Sequence, residues 1–389
     1  MTLEVGIVGV RGLSTLKGFK NLKETRVQAL CDLNEKLLTE QTEKHGIPEK
    51  YRVYDDLLET DIDVVVIATP MHLHVPQVIK ALEAGKHVLS EVTAGVTMEE
   101  LWWLKKWVER YDDLVYMMAE NYCYIPHNQI IKNMVKEGLF GDIYFGEGEY
   151  IHDIKELTTR ANYDSSSDVN IKKGKTTWRR FWQLGRRGAF YPTHSIGPVM
   201  QWFSEDKIKS VSCQGTGWNT APEFRQEDTS ITTCKLETGK LIKIRIDCIS
   251  ERPHNLTYYS LQGTKGCYEA PRGLGDDHKI WLKGMDENTD KAEWRSLTEF
   301  HDYLPERYQK ATKEQKAAGH WGGDYFIVED FVKAITENQK PPIDVYDSCE
   351  WTAVGLLSEI SVQHNGKPVL MPDFRGDTPV AEQKVEFVD

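Results

Sequence analysis

The first third of the chain alternates short apolar runs with charged amphipathic segments. The predicted strands are 4–9, 26–31, 63–68, 86–90 and 114–119, and the predicted helices between them are 33–45, 75–84 and 97–110. The run at 63–68 (DVVVIA) is continuous and rich in β-branched residues, which is typical of a parallel strand buried on both faces. Strands that alternate with helices at this spacing predict βαβ units with right-handed crossovers and a parallel sheet.

The pattern changes after about residue 125. A helix at about 126–137 ends at Gly138, and alternating apolar and polar positions then predict strands at 143–150, 208–215, 230–237, 241–250 and 258–263. Such alternation is typical of an antiparallel sheet with one covered face. Residues 323–337 and 347–363 return to helical spacing, and the polar stretch 153–176 predicts a long surface loop or lid.

We therefore expect an α/β fold with two domains. An N-terminal Rossmann domain with a parallel sheet takes residues 1–125. A C-terminal α+β domain with a large, open, mainly antiparallel sheet takes residues 126–389, and its last helices are expected to pack back on the first domain.

Composition narrows the possible partners and compartment. The chain of 389 residues has a net charge of −12, and its one short basic cluster is Arg179, Arg180, Arg186 and Arg187, so we expect no nucleic-acid partner. No apolar run approaches the roughly 20 residues that span a bilayer, so no membrane segment is expected. The 7 cysteines form no C-x-x-C pair and no secretory signal is visible, which favours free thiols in the cytoplasm.

The turn after the first strand predicts a dinucleotide site. Its candidate cofactor residues are Gly9, Arg11, Gly12, Leu13 and Ser14, although Arg11 and Ser14 replace two glycines of the G-x-G-x-x-G pattern. Asp32 ends the next strand at the separation usual for the acid that binds the ribose 2′-hydroxyl, which favours NAD over NADP. The alternative is that Gly9 and Gly12 only form a turn and that Asp32 caps a helix.

A second group of candidate cofactor residues follows the third strand. Thr69, Pro70, His72 and His74 lie where ligands bind in open α/β sheets, at the carboxyl end of a strand. The two histidines are two residues apart and lack a nearby third ligand. Polar lining or helix capping is therefore favoured over a metal site, and no metal is expected.

The stretch ATPMHLHVPQVIKALEAGKHVLSE at 68–91 resembles the Gfo/Idh/MocA oxidoreductase family. The resemblance implies a Rossmann domain followed by a domain whose open sheet binds sugars and often mediates oligomers. Ordinary dehydrogenases of that family carry Glu-Lys-Pro after the fourth strand, and the lysine helps to move the substrate proton. Here Val92 stands at the lysine position and cannot carry a proton.

A narrower resemblance is to the NAD-dependent glycosidases of glycoside hydrolase family 109. It rests on MMAENYCY (117–124), GEYIHD (148–153), TTWRRFWQLGRRGAFYPTHSIGPV (176–199) and GHWGGDYF (319–326). It implies a tightly held NAD, a carbohydrate substrate, a homo-oligomer (dimer or tetramer) and catalytic residues Glu120, Tyr191, His194 and Tyr268. Further cofactor contacts are assigned to Glu91, Asn121, Trp178 and Arg179. Substrate contacts are assigned to Asp153, Trp178, Tyr191 and His194.

The implied chemistry suits these residue types. Oxidation of a sugar at C3 acidifies the C2 proton, so a base removes it, the C1 group leaves, water adds and the hydride returns. Histidine titrates near neutrality, so His194 suits the C3 hydroxyl or the leaving group. Tyr191 needs a pKa lowered from ~10 to act at C2, through a nearby arginine or the cofactor charge.

Other interpretations stay open at this stage. In the alternative to catalysis, His194 caps a helix, Tyr191 is a half-buried core residue, and Glu120 pairs with an arginine. His320 and Asp324 either hold sugar hydroxyls or cap the helix that begins there. At the level of function, the alternatives are a conventional NAD-dependent sugar or cyclitol dehydrogenase and a non-catalytic sugar or dinucleotide sensor.

Overall fold

The computed structural model describes residues 2–10, 12–158, 176–203, 206–376 and 385–388. Arg11 and most of the predicted loop at 153–176 therefore lie outside the described residues.

The first domain is a parallel sheet of six strands with helices on both faces. The strands are β1 (Leu3–Val8), β2 (Thr25–Cys31), β3 (Glu49–Tyr51), β4 (Val64–Ile67), β5 (His87–Ser90) and β6 (Tyr116–Met118), in the order β3-β2-β1-β4-β5-β6. The helices are α1 (Leu16–Lys20), α2 (Glu35–His45), α3 (Tyr54–Leu58), α4 (His74–Glu83) and α5 (Met98–Arg110). The strand order reverses between β1 and β4, which opens a crevice at their carboxyl ends. The predicted Rossmann topology is confirmed.

The second domain is built on a sheet of nine strands. They are β7 (Ile143–Ile151), β8 (Ile208–Gly215), β9 (Ser230–Leu236), β10 (Leu241–Asp247), β11 (Asn255–Gly263), β12 (Gly266–Glu269), β13 (Lys279–Leu282), β14 (Arg295–Ser296) and β15 (Val369–Leu370). The order is β14-β13-β12-β11-β7-β10-β9-β8-β15, and only β7 and β10 pair in parallel. The predicted mainly antiparallel sheet is confirmed.

Seven α-helices belong to the described part of this domain. They are α6 (Pro126–Lys136), α7 (Arg179–Trp182), α8 (Thr193–Trp202), α9 (Glu306–Lys310), α10 (Lys313–Lys316), α11 (Gly323–Thr336) and α12 (Val345–Gln363). Helix α8 lies directly on β7, because β7 has glycines where the helix crosses it. A Cβ atom on Gly148 would stand 2.1 Å from the carbonyl oxygen of Ser195. This close approach seats the start of α8 against β7.

The last helices contact the first domain. A Cβ atom on Gly18 of α1 would stand 2.7 Å from the carbonyl oxygen of Asp324 in α11. The thiol of Cys349 in α12 lies 3.4 Å from the carbonyl oxygen of Leu101 in α5. These contacts place α11 beside the cofactor turn. Within the described ranges, no helix is both long and apolar enough to cross a bilayer.

Candidate active site

The predicted cofactor turn lies against the end of β4. Gly9 has φ +92°, and a Cβ atom there would stand 2.4 Å from the carbonyl oxygen of Ala68. A Cβ atom on Gly12 would stand 2.6 Å from Ala68 Cβ and 3.0 Å from Glu91 Oε1. Only glycine fits these two positions, so the backbone comes close to the crevice, as a bound pyrophosphate requires. The residues present therefore fit NAD.

Asp32 ties this turn to the end of β2. Its carboxylate is buried and accepts hydrogen bonds from the backbone N–H of Val10 at 3.0 Å and of Asn34 at 2.8 Å. Asn34, not Asp32, is the residue that caps α2. Each carboxylate oxygen keeps a further lone pair, so Asp32 can also accept from a ribose hydroxyl. Leu13 is half-buried and packs against the hydrophobic core, and Ser14 Oγ donates to Glu91 Oε1 at 3.5 Å.

The two histidines after β4 have different surroundings. The buried His74 has Nδ1 at 2.8 Å from the carbonyl oxygen of Thr93 and Nε2 at 2.9 Å from that of Thr69, and burial lowers its pKa. His74 therefore joins the loops after β4 and β5. His72 follows Pro70 in a 3₁₀ turn and stacks on Trp182, with ring centroids 5.3 Å apart. Its Nδ1 is buried without a hydrogen-bond partner in the described residues, so His72 remains a candidate for a ligand contact.

Glu120 and His194 form a buried carboxylate–histidine pair. Glu120 follows β6 and is 0% exposed. Its Oε1 accepts from His194 Nδ1 at 2.8 Å and from the backbone N–H of Tyr122 at 3.2 Å. The carboxylate thus orients the ring, and Nε2 has no hydrogen-bond partner in the part of the chain described. The alternative in which Glu120 pairs with an arginine is not what the structure shows.

A proline in α8 helps to hold His194. Pro198 has no N–H to donate to the carbonyl of His194, four residues earlier. The hydroxyl of Tyr259, on β11, donates to that carbonyl at 2.6 Å instead. A buried carbonyl needs a partner, so this bond stabilises the start of the helix. Gly197, the residue before Pro198, lets α8 approach Glu120, because a Cβ atom there would stand 3.0 Å from Glu120 Cγ.

Three tyrosines surround His194. The ring centroids of Tyr122, Tyr150 and Tyr191 lie 4.3, 5.1 and 5.1 Å from that of His194. Burial raises the pKa of Tyr191 well above its ordinary range, although the charge of Arg179 acts to lower it. Of the two expected causes of a lowered Tyr191 pKa, an arginine or the cofactor charge, the arginine is present but does not outweigh burial. Tyr122 and Tyr150 were not predicted; both lie in the stretches that carried the family resemblance.

Trp178 and Arg179 line the cleft near Tyr191. The Arg179 guanidinium lies 4.5 Å over the Trp178 ring and donates to Gln183 Oε1 at 2.6 Å. Its Nε is buried and lacks an acceptor among the described residues. Arg179 is therefore a cation whose hydrogen-bonding capacity is only partly used by the protein.

Asp153 lies at the edge of this cluster. Its carboxylate pairs with Lys155 Nζ at 3.0 Å and accepts from the Lys155 backbone N–H at 3.0 Å. The preceding His152 contacts the hydroxyl of Tyr150 through Nδ1 at 2.7 Å. Burial, with the charges of His254 and Arg179, lowers the pKa of His152 to about 4. The structure thus links His152 to the tyrosine cluster and leaves Asp153 in an ion pair.

The structure does not bring Tyr268 into this cluster. Side chains alternate between the two faces of β12, and Tyr268 lies on the face that the far end of α8 covers. Its ring is edge-on to that of Trp202, with ring centroids 5.9 Å apart. Its hydroxyl lies 2.8 Å from His278 Nδ1, and the side chain is fully buried. Trp202 is eight residues after His194, which is ~12 Å along a helix. The catalytic assignment of Tyr268 is therefore withdrawn.

Asn121 contacts the segment before α11. Its Nδ2 donates to Asp324 Oδ1 at 3.1 Å and lies 3.0 Å from His320 Nδ1. His320 and Asp324 form a second carboxylate–histidine pair at 2.9 Å. Among the described residues, those assigned to the cofactor and to catalysis that follow β1, β2, β4, β5 and β6 thus lie at the carboxyl ends of the parallel strands, and Tyr268 lies apart from them.

Comparison with known proteins agrees with this geometry. Residues 3–119 match the oxidoreductase family with an NAD-binding Rossmann fold, and residues 124–378 match the C-terminal domain of glycosyl hydrolase 109. A glycosyl hydrolase family 109 protein from Saccharopolyspora erythraea is 30% identical over 412 residues, covering 97% of this chain and 85% of that protein. An alpha-N-acetylgalactosaminidase from Shewanella oneidensis is also 30% identical, over 96% of this chain and 85% of its own.

Solved structures share the whole architecture. Levoglucosan dehydrogenase in complex with NADH superposes with a TM-score of 0.77 at 20% identity, covering 96% of this chain and 100% of that chain. Scyllo-inositol dehydrogenase from Lactobacillus casei, with NAD(H) and scyllo-inositol, has a TM-score of 0.68 at 19% identity, covering 95% and 99%. The fold and the cofactor turn define an NAD-dependent enzyme of the Gfo/Idh/MocA class. Within that class, the chain belongs to glycoside hydrolase family 109.

Proposed function

We propose that this enzyme hydrolyses a glycoside by oxidation at C3, elimination across C1 and C2, addition of water and re-reduction. The observation that carries the proposal is the Glu120–His194 pair, surrounded by tyrosines beside the cofactor turn. When bound, NAD supplies reversible hydride transfer at C3 of the sugar. Gly9, Gly12 and Asp32 are the residues that hold it.

His194 is assigned to the C3 hydroxyl. Its Nε2 takes the hydroxyl proton, and the Glu120 carboxylate on Nδ1 stabilises the imidazolium that results. Because Glu120 is fully buried, this charge interaction is weakly screened. The same nitrogen returns the proton when the alcohol at C3 is restored.

Tyr191 is assigned to the C2 proton. Its ring is edge-on to His194, and the nearby Arg179 is the cation that favours its ionised form. A carbohydrate is supported as the substrate by the relatives, one of which is named an alpha-N-acetylgalactosaminidase. Trp178 and Arg179 are assigned to the sugar or to the cofactor at the junction of the two sites.

Nitrophenyl α- and β-glycosides, including the N-acetylgalactosaminides, test the proposal when turned over in D₂O. Release of nitrophenol, with deuterium at C2 of the sugar and no net NADH, is the expected result. Steady accumulation of NADH with free sugars would instead show a conventional dehydrogenase. Bound NAD with neither reaction would show a sensor.

Two substitutions test the assigned groups. His194→Ala and Tyr191→Phe are each expected to lower kcat/KM well over tenfold, because each removes a proton-transfer group. NAD content, measured after denaturation, should stay that of the wild type. Wild-type turnover in either variant would remove that residue from the mechanism.

We also propose a homo-oligomer formed through the open face of the second sheet. This face lies opposite α8 and presents half-buried apolar side chains. Phe145 on β7 pairs with Leu241 on the neighbouring strand β10, and Trp281 lies further along the sheet on β13. Sedimentation equilibrium should give a dimer or tetramer, and Leu241→Arg should shift it towards the monomer. A wild-type monomer at micromolar concentration would contradict this.

A cytoplasmic location is proposed from the cysteines. All 7 are free in the structure, and 6 of them are buried. Free thiols persist in a reducing compartment. Cell fractionation should find the enzyme with cytoplasmic markers.

A further inference from the structure

Trp321 occupies an unusual backbone position in the short loop before α11. Its φ is 55° and its ψ is 33°, in the left-handed region that bulky residues adopt only at an energetic cost. The glycines at 319 and 322, on either side, have φ values of 99° and 87°. Glycine adopts this region freely, so it would form the turn at position 321 without strain. The backbone therefore does not explain why a tryptophan stands there.

Packing does not explain this tryptophan either. Trp321 is 57% exposed, although a large apolar ring stabilises a fold mainly by being buried. The loop around it is held by backbone and lysine contacts. The N–H of Gly322 donates to the carbonyl of Gly319 at 2.7 Å, and Lys17 Nζ donates to the carbonyl of Ala317 at 3.4 Å. The ring is thus presented to solvent on a loop whose shape is fixed by other groups.

The exposed ring continues a row of rings that begins in the active site. Between centroids, the Tyr122 ring lies 4.3 Å from that of His194 and 6.4 Å from that of Trp321. Both His194 and Tyr122 are buried, so the row runs from the interior of the cleft to the surface. Trp321 therefore lies at the rim of the cleft, one ring beyond Tyr122.

This arrangement suits a substrate of two linked sugar rings. In the proposed reaction, the ring that is oxidised lies against His194, and the group on its C1 extends towards the rim through which it departs. One face of a pyranose ring carries mainly C–H groups. An aromatic face binds such a surface through its large apolar area and its negative quadrupole. A methyl group on C1 is too small to make this contact at the rim.

We propose that Trp321 is the platform of a subsite for the leaving group and that this leaving group is itself a pyranose, an inference that rests on the proposed function. The substrate is then a disaccharide or a longer glycan, not the glycoside of a small alcohol. The Trp321 ring contacts the second sugar equally before and during cleavage of the C1–O bond. It therefore contributes to substrate binding, and hence to KM, and not to kcat.

Trp321→Gly tests this subsite with two substrates. Both contain the sugar that the enzyme accepts as a nitrophenyl glycoside: one is its methyl glycoside, the other a disaccharide with a second pyranose on C1. We expect the variant to raise KM for the disaccharide about tenfold or more at unchanged kcat, and to change kcat/KM for the methyl glycoside less than about twofold. Trp294→Gly is the matched control, because this ring is 48% exposed but lies beside β14, four strands from β7. It should affect neither substrate.

Thermal unfolding and NAD content separate this role from a structural one. Glycine is unstrained at position 321, so the Tm of Trp321→Gly should equal or exceed that of the wild type, with the same amount of bound NAD. Equal losses with the two substrates, a lower Tm or a loss of NAD would each overturn the inference and leave the proposed function in place. A wild-type enzyme that cleaves neither these substrates nor any nitrophenyl glycoside would overturn the proposed function itself.

Discussion

At the scale of the residue, the position of His194 depends on groups that never meet a substrate. Glu120 orients the ring from one side, and Tyr259 satisfies the carbonyl that Pro198 leaves without a donor. These contacts come from three separate parts of the chain. The precision of the site is thus set by hydrogen bonds behind the histidine as well as by the histidine itself.

Tyr259→Phe tests this support. The variant leaves a buried carbonyl without a donor, so we expect it to lower the unfolding free energy by about 1–3 kcal/mol. It should also lower kcat severalfold, because His194 loses its fixed backbone. Tyr268→Phe is the matched control: this tyrosine is equally buried and also loses a hydroxyl contact, but far from His194. Equal kcat in the two variants would contradict the supporting role, and a large loss in Tyr268→Phe would restore that residue to the site.

At the scale of the element, α8 is seated by glycines of the strand beneath it. Gly146 and Gly148 of β7 face the helix, and Cβ atoms there would stand 2.6 Å from Val199 Cγ1 and 2.1 Å from the Ser195 carbonyl oxygen. The alternation of β7 places Tyr150 on the same face, beside His194. Strand β7 therefore determines how closely α8 packs on the sheet and also positions Tyr150, one ring of the tyrosine cluster.

Gly148→Ala is expected to displace α8. The new methyl group would stand 2.1 Å from the Ser195 carbonyl oxygen, which belongs to the backbone of the helix, so we expect an overpacking cost of about 1–3 kcal/mol and a loss of turnover. Gly273→Ala is the control, because no atom lies within 4 Å of its Cβ position. Thermal unfolding and kcat of the two variants give the comparison. An unchanged Tm in Gly148→Ala would show that the helix can move without cost.

At the scale of the whole molecule, the C-terminal segment joins the two domains. Phe374 packs on Trp102 of α5 with ring centroids 4.5 Å apart. The next residue, Arg375, pairs with Asp347 and Glu350 of α12. Burial raises the pKa of Glu350 from its ordinary value of 4.5 to about 7, although the charge of Arg375 acts to lower it. Because Glu350 is buried, we expect the contact between the C-terminal segment and α12 to depend on pH.

The sign of this sensitivity follows from linkage. The folded protein keeps the Glu350 proton at a pH where the unfolded chain has lost it, so this stabilisation is complete below about pH 4.5 and is lost as pH rises to about 7. Glu350→Gln stays neutral throughout. We expect the unfolding free energy of the variant, relative to that of the wild type, to increase across this interval in urea titrations. A difference that does not change with pH would contradict the assignment.

Much of the fold could be predicted from the sequence. The apolar run at 63–68 and its neighbours predicted the parallel sheet, because strand and helix periods are local properties of the chain. The three-residue strand β3 and the short strands β12 to β14 were missed, because a segment of two to four residues is too short for an alternation of apolar and polar positions to be recognised.

The sequence alone also determined the family and the residues of the cofactor turn, because a backbone turn that only glycine can form is visible in the sequence as glycines at those positions. Only the tertiary structure decided which candidates meet. Glu120, His194 and Tyr259 are 65 or more residues apart in pairs, and the burial of Tyr268 depends on which face of β12 the helix covers. Proton transfer acts over a few ångströms, and those distances exist only once the two sheets and α8 are in place.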